Sequence, residues 1–170
     1  MIRAEQQRIY LIERNKINDL REKFVIVGPT GNVYTVTIAH LPDCTCPDFM
    51  KGFVCKHIFF VYLKVLGVNR DSTLIYQKAL LSKELRSIFT NARPSPTVMV
   101  IYSNVNENEN EKRRPIEGNC PICYDSLEEK DRDKIVWCRQ GCGNNLHKDC
   151  FEQWKRSRYG GRVSMLYFYS

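Results

Sequence analysis

Absences narrow this chain first. No apolar run approaches the roughly 20 residues needed to cross a bilayer. The opening stretch, MIRAEQQRIYLIERNK, scatters charge where a secretory leader needs an unbroken apolar core, so an intracellular chain is expected, cytoplasmic or nuclear, with no membrane partner. No helical pattern displays exposed arginine, asparagine or glutamine as a major-groove reader would, which leaves DNA recognition weakly supported.

Cysteine, by contrast, is plentiful, with eight in 170 residues. In a reducing compartment such a set points to metal ligands or nucleophiles rather than disulfides. The net charge is +7, unevenly spread: residues 1–90 hold thirteen basic against eight acidic side chains, 91–117 four of each, and 118–170 nine against seven. A basic first module is compatible with nucleic acid or an acidic partner and diagnostic of neither.

Along the chain, residues 2–22 carry Ile9, Leu11, Ile12, Ile17 and Leu20 at positions that fit neither a helical nor a strand period. FVIVGPTGNVYTVTI reads as a hairpin: an apolar run Phe24 to Val27, a turn on Gly28, Pro29 and Gly31, then β-branched Val33 to Ile38. CKHIFFVYLKVLGV is apolar around almost the whole circumference of a helix that must be buried, with Gly67 placed to end it. SKELRSIF predicts a further short helix capped by Ser82, with Leu85, Ile88 and Phe89 on one face. From Asn91 the pattern dissolves into prolines, an Asn/Glu alternation and EKRR, read as a solvated linker with one extended patch at Val98–Tyr102. The expected organisation is therefore α+β: a first module over 1–90 with its core at 24–67, a linker over 91–117, and a second module over 118–170.

Cys44, Cys46, Cys55 and His57 form C-x-C-x8-C-x-H. Three thiolates and one imidazole make a closed tetrahedral set for Zn²⁺, with no position left for a catalytic water. The hairpin ends just before the first pair and the buried helix opens at the second, so one ion would pin strand to helix. Structural zinc contributes roughly 10–16 kcal/mol in finger peptides, more than the net stability of most small domains, so folding should depend on it. His40 lies near Cys44 but is left out, four ligands being already present. The frame TGNVYTVTI, then CTCPDF, then CKHI before an apolar helix, resembles the SWIM-type zinc finger, whose ββα unit carries C-x-C and C-x-H. The resemblance covers residues 8–90 and implies protein interaction or DNA binding.

Farther on, Cys120 and Cys123 stand as C-x2-C, followed by Cys138 and Cys142 and then by His147 and Cys150 as H-x2-C. This order resembles the start of a RING-type finger, in which two zinc ions are cross-braced. By that resemblance Cys120, Cys123, His147 and Cys150 complete one site, while Cys138 and Cys142 begin another. A RING would carry one more C-x2-C beyond Trp154, and WKRSRYGGRVSMLYFYS has none. Two thiolates cannot close a tetrahedral shell, so the third site is expected to be empty, to borrow ligands from another molecule or, the favoured expectation, to be finished by protein missing from this chain. MLYFYS is expected to be an exposed aromatic tail without a structural partner. The resemblance further implies that Ile122 and Trp154 contact a ubiquitin-conjugating enzyme (E2).

SWIM followed by RING resembles the SWIM-and-RING E3 ubiquitin ligases, a pairing also found near the front of a large mitogen-activated kinase kinase kinase. Such a transferase would position an E2–ubiquitin conjugate beside a protein substrate recruited by the SWIM module. It would use no catalytic residue of its own, since every cysteine is assigned as a ligand and none is free to carry ubiquitin. The alternatives are a non-catalytic zinc adaptor for protein interaction and, with less support, a DNA binder using the basic half.

Overall fold

The computed structural model describes residues 7–92, 113–138, 143–158 and 168–169. The patch expected at Val98–Tyr102 and the ligand candidate Cys142 lie outside them. The chain is mixed α+β and divides into two compact units, Met1–Ser95 and Pro96–Ser170. Among the described residues no helix is long and apolar enough to cross a membrane.

The first unit is built on a four-stranded antiparallel sheet in the order β1 (Tyr10–Asn18), β2 (Arg21–Val27), β3 (Val33–Ile38), β4 (Asp43–Cys44). The expected hairpin is β2–β3, closed by Gly28 N–H to Asn32 O at 2.9 Å and Gly31 N–H to Gly28 O at 3.0 Å. Gly31 sits at φ +83°, which a side chain would resist. Strand β1 is the element whose period could not be read, and its pairing shows why. Two register shifts against β2, between Leu11 and Glu13 and between Lys16 and Asn18, leave Ile12 and Ile17 as extra residues. Each bulge shifts the inward–outward alternation by one, so no single period survives along the strand.

Helix α1 is a single turn, Pro47–Met50; α2 (Lys56–Phe60) runs on into a π-helical turn over Val61–Val65. The π turn is closed by Leu66 N–H to Val61 O at 2.8 Å, and Gly67 follows at φ +69°. Ile58, Phe59, Phe60, Val61, Tyr62, Val65 and Leu66 are all buried, as a helix apolar around its circumference requires. With them Phe24, Ile26, Val36 and Ile38 from the sheet, and Ile75, Leu80, Leu85 and Ile88 from the following segment, make the core. Helix α3 (Ser82–Thr90) corrects the capping expectation: Leu81 is the N-cap and Ser82 the first helical residue. Glu84 reaches back to accept the Leu81 N–H at 2.8 Å, so the acid three residues on performs the capping expected of the serine.

In the second unit β5 (Ile135–Cys138) is central, antiparallel to β6 (Asn145–His147) and to β7 (Phe168–Tyr169). Helix α4 (Lys148–Arg158) follows β6 directly. The tail expected to lack a partner thus has one for its backbone, since Tyr169 pairs with Trp137 and Phe168 with Cys138. A free edge of β5 offers unpaired N–H and C=O groups, and a short extended segment satisfies them whatever its side chains.

Two candidate metal centres

The first centre is assembled where β4 ends and α1 and α2 begin. Pairing of Val36 with Cys44 fixes the first sulfur at the end of the sheet. Cys46 and Cys55 are the N-caps of α1 and α2, both in extended backbone conformation, and His57 lies in the first turn of α2. All four side chains are buried, and their ligand atoms lie within 4.8 Å of one another. Cys44 Sγ is 3.9 Å from His57 Nδ1. Tetrahedral Zn²⁺ with ordinary bond lengths would set such atoms roughly 3.5–3.8 Å apart, so modest contraction closes the shell. His40 is elsewhere engaged: its Nδ1 donates to Leu80 O at 2.8 Å.

The electrostatics of the cluster are those of closely packed thiols. The Cys55 thiol is pulled down to about 4, chiefly by its hydrogen bond from Cys44, against the cost of burial. Cys44 is driven up by the same hydrogen bond and by burial, and Cys46 is raised mainly by burial. A dication among the sulfurs would favour the ionised form of all three. The backbone partly favours thiolates: the amides of Cys46 and Phe49 oppose the rise at Cys44 and Cys46, and that of Ile58 adds to the fall at Cys55.

The second centre draws Cys120 and Cys123 from one tight turn, His147 from the end of β6, and Cys150 from the first turn of α4. The turn is closed by Tyr124 N–H to Cys120 O and Cys120 N–H to Asp125 O, both 2.8 Å, with Tyr124 in the left-handed region at φ +63°. Again the four ligand atoms lie within 4.8 Å of one another; His147 Nδ1 is 3.4 Å from Cys123 Sγ and 3.9 Å from Cys150 Sγ. Cys120 is held far below its ordinary range by hydrogen bonds from Cys123 and Cys150, Cys123 is pushed up to about 12 by its bond to Cys120, and Cys150 is raised by both neighbours. His147 is raised, first by its hydrogen bond to Cys120. The two clusters are consistent with two zinc sites.

Cys138 is buried in β5 and belongs to neither cluster among the described residues. Ile122, between the first two ligands, is only 7% exposed, and Trp154 is half-buried with its ring stacked on Phe151 at 6.3 Å between centroids.

Three arrangements among the described residues escaped the sequence reading. Glu22 is buried in β2 against Arg14 of β1. Asn145 is buried in β6, accepting from Arg113 Nε at 2.9 Å and donating to the carbonyls of Arg114 and Pro115 at 2.8 and 3.1 Å. Arg113 of EKRR is therefore not solvated linker but fastened to the second unit, where burial lowers its basicity. The third, around Tyr34, is treated below. Nothing in local patterning marks any of them, although a charged or amide residue at an apolar strand position is the trace Glu22 and Asn145 leave.

Residues 34–66 match the family described as SWIM zinc finger, and residues 118–159 the one described as Ring finger domain. This is a SWIM- and RING-finger protein. The SWIM–RING chain is homologous to proteins named E3 ubiquitin-protein ligase ZSWIM2. It is 33% identical over 141 residues to the one from Mus musculus, covering 73% of this chain and 22% of that protein. Against that from Homo sapiens it is 29% identical over 191 aligned positions, covering 96% and 29%. Mitogen-activated protein kinase kinase kinase 1 of Homo sapiens is 26% identical over 171 positions, covering 86% of this chain and 11% of the kinase. The chain spans less than a third of the length of these relatives. No solved structure matches it.

Proposed function

We propose that the SWIM–RING chain is the E2-engaging and substrate-recruiting part of an E3 ubiquitin ligase. The observation that carries this reading is the Cys120, Cys123, His147, Cys150 cluster on a segment matching the Ring finger domain. In it, Cys44, Cys46, Cys55 and His57 hold one structural Zn²⁺ in the SWIM unit and the RING cluster holds another. Cys138 and Cys142 are half of a third site. The ions supply rigidity, since a closed shell of four protein ligands leaves no room for an activated water. Catalysis is then positional: the RING face presents an E2–ubiquitin conjugate in reactive geometry, the SWIM unit brings the protein substrate, and a substrate lysine attacks the thioester. No cysteine of this chain accepts ubiquitin.

Of the two expected E2 contacts, Trp154 retains exposed surface, whereas Ile122 offers little. Burial of Ile122 favours a second reading, a zinc adaptor that binds protein partners without engaging an E2. The chain, and the longest form its transcript encodes, would be mixed with E1, a panel of E2s, ubiquitin and ATP. Chains that disappear in Trp154→Ala and Cys120→Ser would support the ligase. With no chains from either form and no E2 binding on titration, the adaptor reading stands in its place.

A further inference from the structure

Metal-bound histidines ordinarily donate their outer ring N–H to a carboxylate, a carbonyl or water, and that bond sets the tautomer and the plane of the ring. Among the described residues His57 has no such protein partner. Its Nδ1 faces the Cys44 sulfur, while Nε2 is buried with no hydrogen-bond partner among the described residues, the whole residue being 3% exposed. Instead, Tyr34 lies against the imidazole with 4.6 Å between ring centroids and 30° between planes. Beyond the Nε2 edge is the backbone of Gly28: a Cβ built there would come within 3.6 Å of Nε2 and 3.5 Å of Tyr34 Cε2. Both residues flank one turn, with Gly28 just past the end of β2 and Tyr34 paired to Ile26. The β2–β3 hairpin thus forms a seat for the ring, made of an aromatic face and a side-chain-free backbone.

We propose that Tyr34 and Gly28 are positioning residues for the first metal centre: stacking and close backbone approach, rather than an outer hydrogen bond, hold the His57 imidazole with Nδ1 toward the three sulfurs. This rests on the reading that the centre binds Zn²⁺. Stacking is directional and dry, so it can hold a ring plane at modest energy, whereas a carboxylate at Nε2 would add charge to a cluster already crowded with sulfur. The seat also sets a size limit. An alanine at position 28 would make ordinary van der Waals contact with both rings, and valine would press its extra methyls into one of them.

The test uses the full chain loaded with Zn²⁺, and Co²⁺ for spectroscopy. Zinc release to a chromogenic chelator is followed per site, imidazole nitrogen shifts report which atom of His57 is bound, and far-UV circular dichroism at saturating zinc checks the fold. Tyr34→Leu, which keeps an apolar strand residue, should weaken the first centre by about 10–100-fold, the usual cost of removing an outer-shell partner, and leave the second centre unchanged. Tyr34→Phe should restore wild-type release, since the ring and not the hydroxyl is used. Gly28→Ala should behave as wild type and Gly28→Val like Tyr34→Leu, with an altered Co²⁺ ligand-field band. Wild-type release from Tyr34→Leu, or ligation through Nε2, would overturn the proposal while leaving the metal reading intact. If Cys44→Ser does not lower the zinc count of the wild-type chain, the metal reading itself fails and the seat falls with it.

Discussion

The Arg14–Glu22 pair offers a sharp test of the first unit. Arg14 Nε is 2.7 Å from Glu22 Oε2, with side chains 10% and 4% exposed, and the guanidinium lies 5.7 Å from the centroid of the Phe24 ring. Glu22 faces the core side of β2 alongside Phe24 and Ile26, so its carboxylate depends on Arg14 for compensation. Arg14→Met removes the partner and leaves a buried charge. Breaking such a pair costs roughly 3–5 kcal/mol. Because Arg14 is near the rim of the buried zone, we expect the lower end, about 3 kcal/mol, with the lost cation–π contact contributing about 0.5–1 kcal/mol of it. For a unit of this size that is a fall in Tm of roughly 12–24 °C. Glu22→Leu should cost less, since the long arginine can swing its head toward water. The double variant Arg14→Met/Glu22→Leu should recover most of the loss, because an apolar pair of similar volume avoids the desolvation penalty altogether. Urea and thermal unfolding of zinc-loaded protein, followed by far-UV circular dichroism, measure all four forms. An Arg14→Met variant within about 1 kcal/mol of wild type, or a double variant no better than the single one, would show that the pair is not the buried, mutually dependent unit described.

Asn145→Ala should destabilise the second unit by about 2–4 kcal/mol, since three hydrogen bonds to Arg113, Arg114 and Pro115 are lost together; both tryptophans, Trp137 and Trp154, report on this unit, so a urea titration by fluorescence measures it. A strong chelator should abolish most of the far-UV signal and the cooperative melt, and an unchanged spectrum would refute zinc as the organiser of both units. Zinc affinity should fall as the pH is lowered, because protons compete for the thiolates and imidazole; a chelator competition flat from pH 8 to about pH 5 would contradict thiolate ligation. Glu84→Ala removes the acceptor for the Leu81 N–H and should cost about 0.5–2 kcal/mol, read as faster amide exchange in the first turn of α3.

What sequence alone determined was whatever is written in neighbouring residues. The C-x-C and C-x-H pairs, the C-x2-C and H-x2-C pairs, the Gly-Pro turn and the all-apolar helix are local patterns whose chemistry requires those residue types at those spacings, and they were legible without any fold. Elements resting on distant partners were not. Strand β1 exists because β2 offers it hydrogen bonds, and its two bulges erased the alternation that would have announced it. The anchoring of Arg114 and Pro115 to β6 was hidden too, because Asn145 captures carbonyls 31 and 30 residues away. A tyrosine in a strand and a glycine at a turn have many uses; only the folded chain sets both against His57, because contact between residues remote in sequence is decided by how sheet and helix pack and leaves no local mark.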